Sequence, residues 1–186
     1  MIKFNIKLLS IFFVIIISLK PLHSAEMVEP IKVDWSFKGL TGTFDRASLQ
    51  RGFQVYKEVC SSCHSMQYLS YRNLGEPGGP EFSDAEVKAI AASFEIQDGP
   101  DSQGEMFFRP GKPSDKFKSP YPNEQAAIAA NGGAYPPDMS VLVKARKGGA
   151  NYIYSVLVGY EDPPPGVKLD DGVYYNKYIV GNKIKM

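Results

Sequence analysis

The sequence has little of what many functional classes require. Two cysteines in 186 residues cannot build a disulfide-stapled scaffold, and two histidines leave no room for a histidine-rich metal site. Charge of neither sign dominates, with 21 Lys and Arg against 20 Asp and Glu. Residues 1–25 hold Lys3, Lys7 and Lys20 and no acid, so the remainder has 18 basic and 20 acidic residues, a balance of −2. A nucleic-acid binder with a strong basic footprint is therefore excluded. No apolar run reaches the ~20 residues that span a bilayer as a helix, and internal repeats are absent. What is abundant is glycine and proline: 31 residues, about 17% of the chain against roughly 12% in an average protein. The chain should be loop-rich, yet at 44% hydrophobic and 12% aromatic it is too apolar for disorder. A loop-rich domain with few staples needs something else to fill its middle.

The first 25 residues read as an address. Two lysines precede a largely apolar run of 12 residues from Leu8 to Leu19, Pro21 breaks the helix, and Ser24 and Ala25 offer small residues for cleavage. This is the layout of a secretory signal peptide. The expected organisation is a leader over 1–25 and one exported domain over 26–186.

Along that domain, residues 26–42 lack periodicity and are expected to form an irregular arm. Asp45 is an N-cap candidate for a helix whose apolar positions Leu49, Phe53 and Tyr56 lead to Cys60. Residues 75–80 read as a loop, and Ser83 with Glu86 makes a capping box before Val87, Ile90, Ala91 and Phe94. Residues 98–122 read as extended and irregular. Further short helices are predicted from Glu124 to Ala130, from a cap at Asp138 through Arg146, and from Tyr152 to Val158. Beyond the prolines at 163–165 only Val173, Tyr174, Tyr175 and Tyr178 look strand-like. The expected fold is mainly α, with short helices and long irregular loops.

The chemistry lies at Cys60-Ser61-Ser62-Cys63-His64, a C-x-x-C-H run of the kind that attaches c-type haem. Two thiols add across the two vinyl groups of one haem edge, and the adjacent imidazole supplies the proximal axial ligand. Three other chemistries compete for the same residues. A Cys60–Cys63 disulfide closes a tiny loop and stabilises little. A thioredoxin-like dithiol wants a βαβ context that the flanks lack. A structural zinc wants four Cys or His ligands, and the exported part of the chain has three, all in this one motif.

The sixth ligand decides the function. Without a second histidine, bis-His coordination is excluded, leaving Met, Lys, water or an open site. Met ligation closes the iron and raises its potential, favouring electron transfer. Met66 is too near His64 to cross a haem, and Met27 lies in the irregular arm. Met106, Met139 and Met186 remain, and spacing does not choose among them.

The chain also resembles the cytochrome c1 family, the haem subunits of the cytochrome bc1 complex, in alphaproteobacterial and mitochondrial form. The resemblance runs from about Trp35 to the end, through RGFQVYKEVCSSCHSMQYLSYRNL (51–74), EIQDGP (95–100), GEMFFRPGKPSD (104–115) and PYPNEQAAIAANGGAYPPDMS (120–140). It continues through VKARKGG (143–149), GYEDPPPGV (159–167) and YYNKYIVGNKIKM (174–186). It implies a class I cytochrome c-like haem domain carrying one covalent haem c, with His64 and Met186 on the iron. It further implies Arg146 and Tyr152 as haem-propionate partners and Pro137 beside the histidine ligand. Lys177, Val180 and Lys185 depart from the family pattern around Met186. Family members continue past this methionine to a membrane anchor, so the chain is expected to be a fragment.

The implied function is electron transfer on the periplasmic face of the bacterial inner membrane, beside cytochrome b in ubiquinol–cytochrome c reductase. Electrons would come from the Rieske iron-sulfur protein and pass to cytochrome c. No catalytic dyad is evident, and quinol oxidation would belong to another subunit. An independent periplasmic monohaem cytochrome is the alternative. The acceptor is expected to dock electrostatically, because Gly75 to Phe107 carries eight acids against Lys88 alone.

Overall fold

The structure, a computed structural model, describes residues 28–186. The leader predicted over 1–25, and Met27, lie outside the described residues. Within them are five α-helices: α1 (Arg46–Glu58), α2 (Asp84–Ala92), α3 (Glu124–Ala130), α4 (Leu142–Ala145) and α5 (Ala150–Val158). Two antiparallel pairs accompany them, β1 (Glu95–Asp98) with β2 (Phe107–Pro110), and β3 (Tyr174–Tyr175) with β4 (Lys183–Ile184). No helix among the described residues is long and apolar enough to cross a membrane.

The helix starts follow their side-chain caps. Asp45 accepts from Ser48 N at 2.6 Å to open α1, and Ser83 and Glu86 close a reciprocal capping box on α2. Asn123 accepts from Ala126 N at 2.9 Å to open α3. Each such cap contributes about 1 kcal/mol. α1 ends at Val59, and the chain tightens at once into a 3₁₀ turn, Cys60–Ser62.

The core is small and aromatic. Tyr56 of α1, Val87 and Ala91 of α2, and Tyr71, Leu74 and Phe117 from the connecting segments form one buried cluster. Tyr71 stacks on Phe117 and Phe94 with centroids 4.9 and 5.2 Å apart. Cys60 and Met139 pack against its edge, so the cysteine motif is rooted against the buried core.

Three segments differ from the sequence expectation. Residues 98–122 were expected to be irregular, yet β1 and β2 pair from Glu95↔Pro110 to Asp98↔Phe107. Four-residue strands are too short to display alternation, and this hairpin is held by Arg109, which bridges Asp98 and Asp115. The helix expected from Asp138 to Arg146 shortens to Leu142–Ala145. Asp138 and Met139 are drawn instead onto the loop after the cysteine motif, Asp138 Oδ2 accepting from Ser65 Oγ at 2.7 Å and Gln67 N at 2.9 Å and Met139 N donating to Ser65 O at 2.8 Å. Of the four strand-like residues, only Tyr174 and Tyr175 enter a strand; Tyr178 is instead buried.

The arm is irregular, as expected, but it is docked. Ile31 N donates to Ser155 Oγ at 2.8 Å, and Trp35 Nε1 donates to Asn151 Oδ1 at 2.7 Å, fixing residues 31–35 along α5. Pro30 sits so close to Gly148 that a Cβ there would meet its ring at 3.0 Å. With φ of +91° and +55°, Gly148 and Gly149 also make the left-handed turn that separates α4 from α5.

Candidate functional site

Cys60 and Cys63 are free thiols, each partly buried, and with His64 they line a cavity of about 420 Å³. That volume lies within the ~300–1,000 Å³ usual for small-molecule and cofactor sites. The opposite lining comes from far along the chain: α5 contributes Ile153, Val156 and Leu157, and the last segment contributes Ile179, Ile184 and Met186. Most of the lining is apolar, and Asn131, Lys183 and Lys185 add polar groups to it.

All seven residues singled out from the sequence reach this cavity. Cys60, Cys63, His64, Pro137, Arg146, Tyr152 and Met186 each contribute to its wall. Met139 also lines it while packing on the core. Met106 does not line it; it sits exposed just before β2. Arg146 lies at the end of α4, and the one hydrogen bond of its guanidinium among the described residues is a 3.4 Å approach to Ala145 O. Its guanidinium is thus free for a carboxylate brought into the cavity.

The imidazole is set for a metal. His64 Nδ1 lies 2.8 Å from Pro137 O. A carbonyl can only accept, so the proton sits on Nδ1 and the Nε2 lone pair is left available. This is the arrangement by which proteins fix the tautomer and orientation of a ligating histidine. The Cys60 thiol is less suited to dithiol exchange, which depends on a lowered thiol pKa. Burial pushes the Cys60 thiol up instead.

Sequence reasoning missed the group that joins the loop after the cysteine motif to the loop that carries Pro137. Asp138 does not cap a helix. Its Oδ2 accepts from Ser65 Oγ at 2.7 Å and Gln67 N at 2.9 Å, and its Oδ1 accepts from Ser140 N at 2.8 Å. Burial opposes its ionisation, but the bonds from Ser140, Gln67 and Ser65 outweigh it and hold the carboxyl below its ordinary range. The available signal was the Asp-x-Ser that follows two prolines, which favours an Asx turn over a helix start. Lys185, read as a departure beside Met186, reaches over to Gly132 O at 2.8 Å.

Comparison with known proteins gives this geometry a family. The chain matches the Cytochrome C1 family over residues 35–186. It is 51% identical over 171 residues to "Cytochrome b/c1" of Bradyrhizobium diazoefficiens, covering 82% of this chain and 25% of that protein. It is 53% identical over 152 residues to the mitochondrial "Cytochrome c1-2, heme protein" of Solanum tuberosum, covering 82% and 57%. It is 48% identical over 171 residues to "Cytochrome c1" of Rhodospirillum rubrum, covering 83% and 62%. The chain thus spans between a quarter and five-eighths of the length of these relatives. With the family match running unbroken from Trp35 through the cysteine motif to Met186, the chain belongs to the cytochrome c1 family.

Proposed function

We propose that this chain is the haem-bearing part of an electron-transfer subunit of ubiquinol–cytochrome c reductase. The observation that carries the reading is the meeting, in one largely apolar cavity, of Cys60, Cys63 and His64 with Met186 from the far end of the chain. Cys60 and Cys63 would hold one haem c by thioether bonds, and His64 Nε2 and Met186 would ligate its iron. Arg146 and Tyr152 would donate to the propionate carboxylates. The short helices around such a centre support a class I cytochrome c-like arrangement.

A haem bound here would supply a one-electron ferric–ferrous couple. The chain's own residues set its conditions. Pro137 O keeps the proton on His64 Nδ1 and makes the imidazole a better donor. The apolar side chains of Ile153 and Val156 from α5, with Ile179 and Ile184, would lower the polarity around the iron, which disfavours the extra positive charge of the oxidised state. Met186 would close the remaining position against exogenous ligands. No proton need move, and no general base is required.

Within the complex we place the chain beside cytochrome b, taking electrons from the Rieske iron-sulfur protein and passing them to cytochrome c. The Bradyrhizobium relative, whose name joins b and c1, supports the association with cytochrome b. The periplasmic face of the bacterial inner membrane agrees with the leader predicted over residues 1–25.

The test is production with haem-ligation machinery followed by acid-acetone extraction, which should leave the colour on the chain. Retention of haem by the Cys60→Ala, Cys63→Ala double variant would refute covalent attachment. Met186→Leu should abolish the long-wavelength sulfur-to-iron band and lower the potential, while Met139→Leu and Met106→Leu should not. A band that survives Met186→Leu moves the ligand elsewhere.

A further inference from the structure

The loop after the cysteine motif and the loop that carries Pro137 are laced together by bonds that the electron-transfer reading does not itself require. Met139 N donates to Ser65 O at 2.8 Å, and Tyr68 N donates to Ser140 Oγ at 3.1 Å. Between them sits the Asp138 carboxylate, accepting from Ser65 Oγ, Gln67 N and Ser140 N at 2.7 to 2.9 Å. It is the one charged group in the seam, and it joins both sides.

The reason such a clamp matters is chemical. Pro136 and Pro137 have no backbone N–H, so the segment offering a carbonyl to His64 cannot be tethered through its own amides. Whatever holds that carbonyl must act from the next residues, and these are Asp138 and Met139. The Asp138 side chain spans from Pro137's neighbour to Ser65, His64's neighbour, and so sets the distance across which Nδ1 and the carbonyl meet.

We propose that Asp138 is a positioning residue for the iron-binding imidazole: its carboxylate locks residues 65–67 to residues 138–140, and so holds Pro137 O at hydrogen-bonding distance from His64 Nδ1. The inference rests on the haem reading above. Loss of the clamp lengthens the Nδ1–H···O bond, weakens imidazole donation to iron and favours the reduced state. Outer-shell partners of ligating histidines typically change metal affinity or activity by about 10- to 100-fold when removed.

The test uses the full chain with its haem attached, comparing Asp138→Ala, Asp138→Asn and Asp101→Ala. Asp101 is a control of the same kind, a carboxylate accepting from the amides of Gln103 and Glu105 in a loop that does not line the cavity. Two quantities are read: the reduction potential, and the deuterium exchange of the His64 Nδ1 proton by NMR. In Asp138→Ala the oxidised-to-reduced equilibrium should shift towards reduced haem by about tenfold, which is about 59 mV for one electron. Exchange of the Nδ1 proton should quicken by a similar factor.

Asp138→Asn keeps an acceptor for one side of the seam and should fall between Ala and wild type. If Asp138→Ala yields no haem protein, Asn against wild type decides the matter. Unchanged potential and exchange, or equal shifts in Asp101→Ala, would overturn the clamp. Failure of the unmutated chain to hold haem would instead overturn the functional reading, so the two failures are distinguishable.

Discussion

Asn176 is a fully buried polar residue, and its replacement offers a sharp test of how the Met186 segment is held. Its Nδ2 donates to Val156 O at 2.8 Å, and its Oδ1 accepts from Tyr178 N at 3.1 Å. Its backbone N–H bonds Asn182 O at 3.0 Å, closing the turn between β3 and β4. Val156 O belongs to the last turn of α5, whose carbonyls have no partner within the helix. Asn176→Ala therefore orphans two groups, the Val156 carbonyl and the Tyr178 N–H.

Each orphan costs ~1–3 kcal/mol, so the variant should lose about 2–6 kcal/mol of stability. That is a large share of the ~5–15 kcal/mol that holds a typical domain. Asn182→Gly is the matched control in the same turn. It retains the backbone carbonyl used by Asn176 and relieves a φ of +58°, so it should be neutral or slightly stabilising. Urea denaturation followed by far-UV circular dichroism measures both.

Asn176→Asp adds a second reading. It keeps the acceptor for Tyr178 N but turns a carboxylate oxygen towards Val156 O, where only the protonated acid can donate. Its folded-state pKa is then raised. The variant should be most stable below about pH 4, the ordinary carboxyl range, and lose stability as pH rises through the folded value. A loss below about 1 kcal/mol in Asn176→Ala would mean that water reaches both orphaned groups, and that packing rather than the amide holds this segment.

Two further outcomes follow from the charged groups. Arg109, bidentate on Asp115 at 2.7 and 3.1 Å, holds that carboxyl down to about 2, with help from Lys112 N. A depressed folded value means that the stabilisation is present above the ordinary pKa of 3.8 and lost as pH falls towards about 2. Asp115→Asn should flatten the acid limb of the stability curve across that window, and an unchanged limb would place the acid sensitivity elsewhere. For docking, Glu86 is spent in a cap, Asp98 in an ion pair and Asp101 in a turn. Neutralising Asp84, Glu95 and Glu105 to amides spares those contacts. It should slow stopped-flow electron transfer to a basic cytochrome c several-fold at low salt, with the difference fading as the screening length falls to about 8 Å. Parallel salt dependences would make these acids merely solvated surface.

The sequence by itself determined the features that depend on local chemistry. The caps at Asp45, Ser83 and Asn123, the stop after Ala130 and the extent of α5 to Gly159 follow from residues within a few positions of one another. The C-x-x-C-H run is likewise a five-residue statement, and the ordered family motifs singled out Met186, Arg146, Tyr152 and Pro137. Only the tertiary structure decided what depends on distant partners. It set Met186 and Met139, but not Met106, on the cavity with His64. It paired β1 with β2, strands too short to show a period. It also turned Asp138 from an expected helix cap into a clamp, because donors 71 and 73 residues away competed successfully for its oxygens. A cap needs only its own next turn, whereas a clamp needs a second loop delivered by the fold, and no local pattern encodes that delivery.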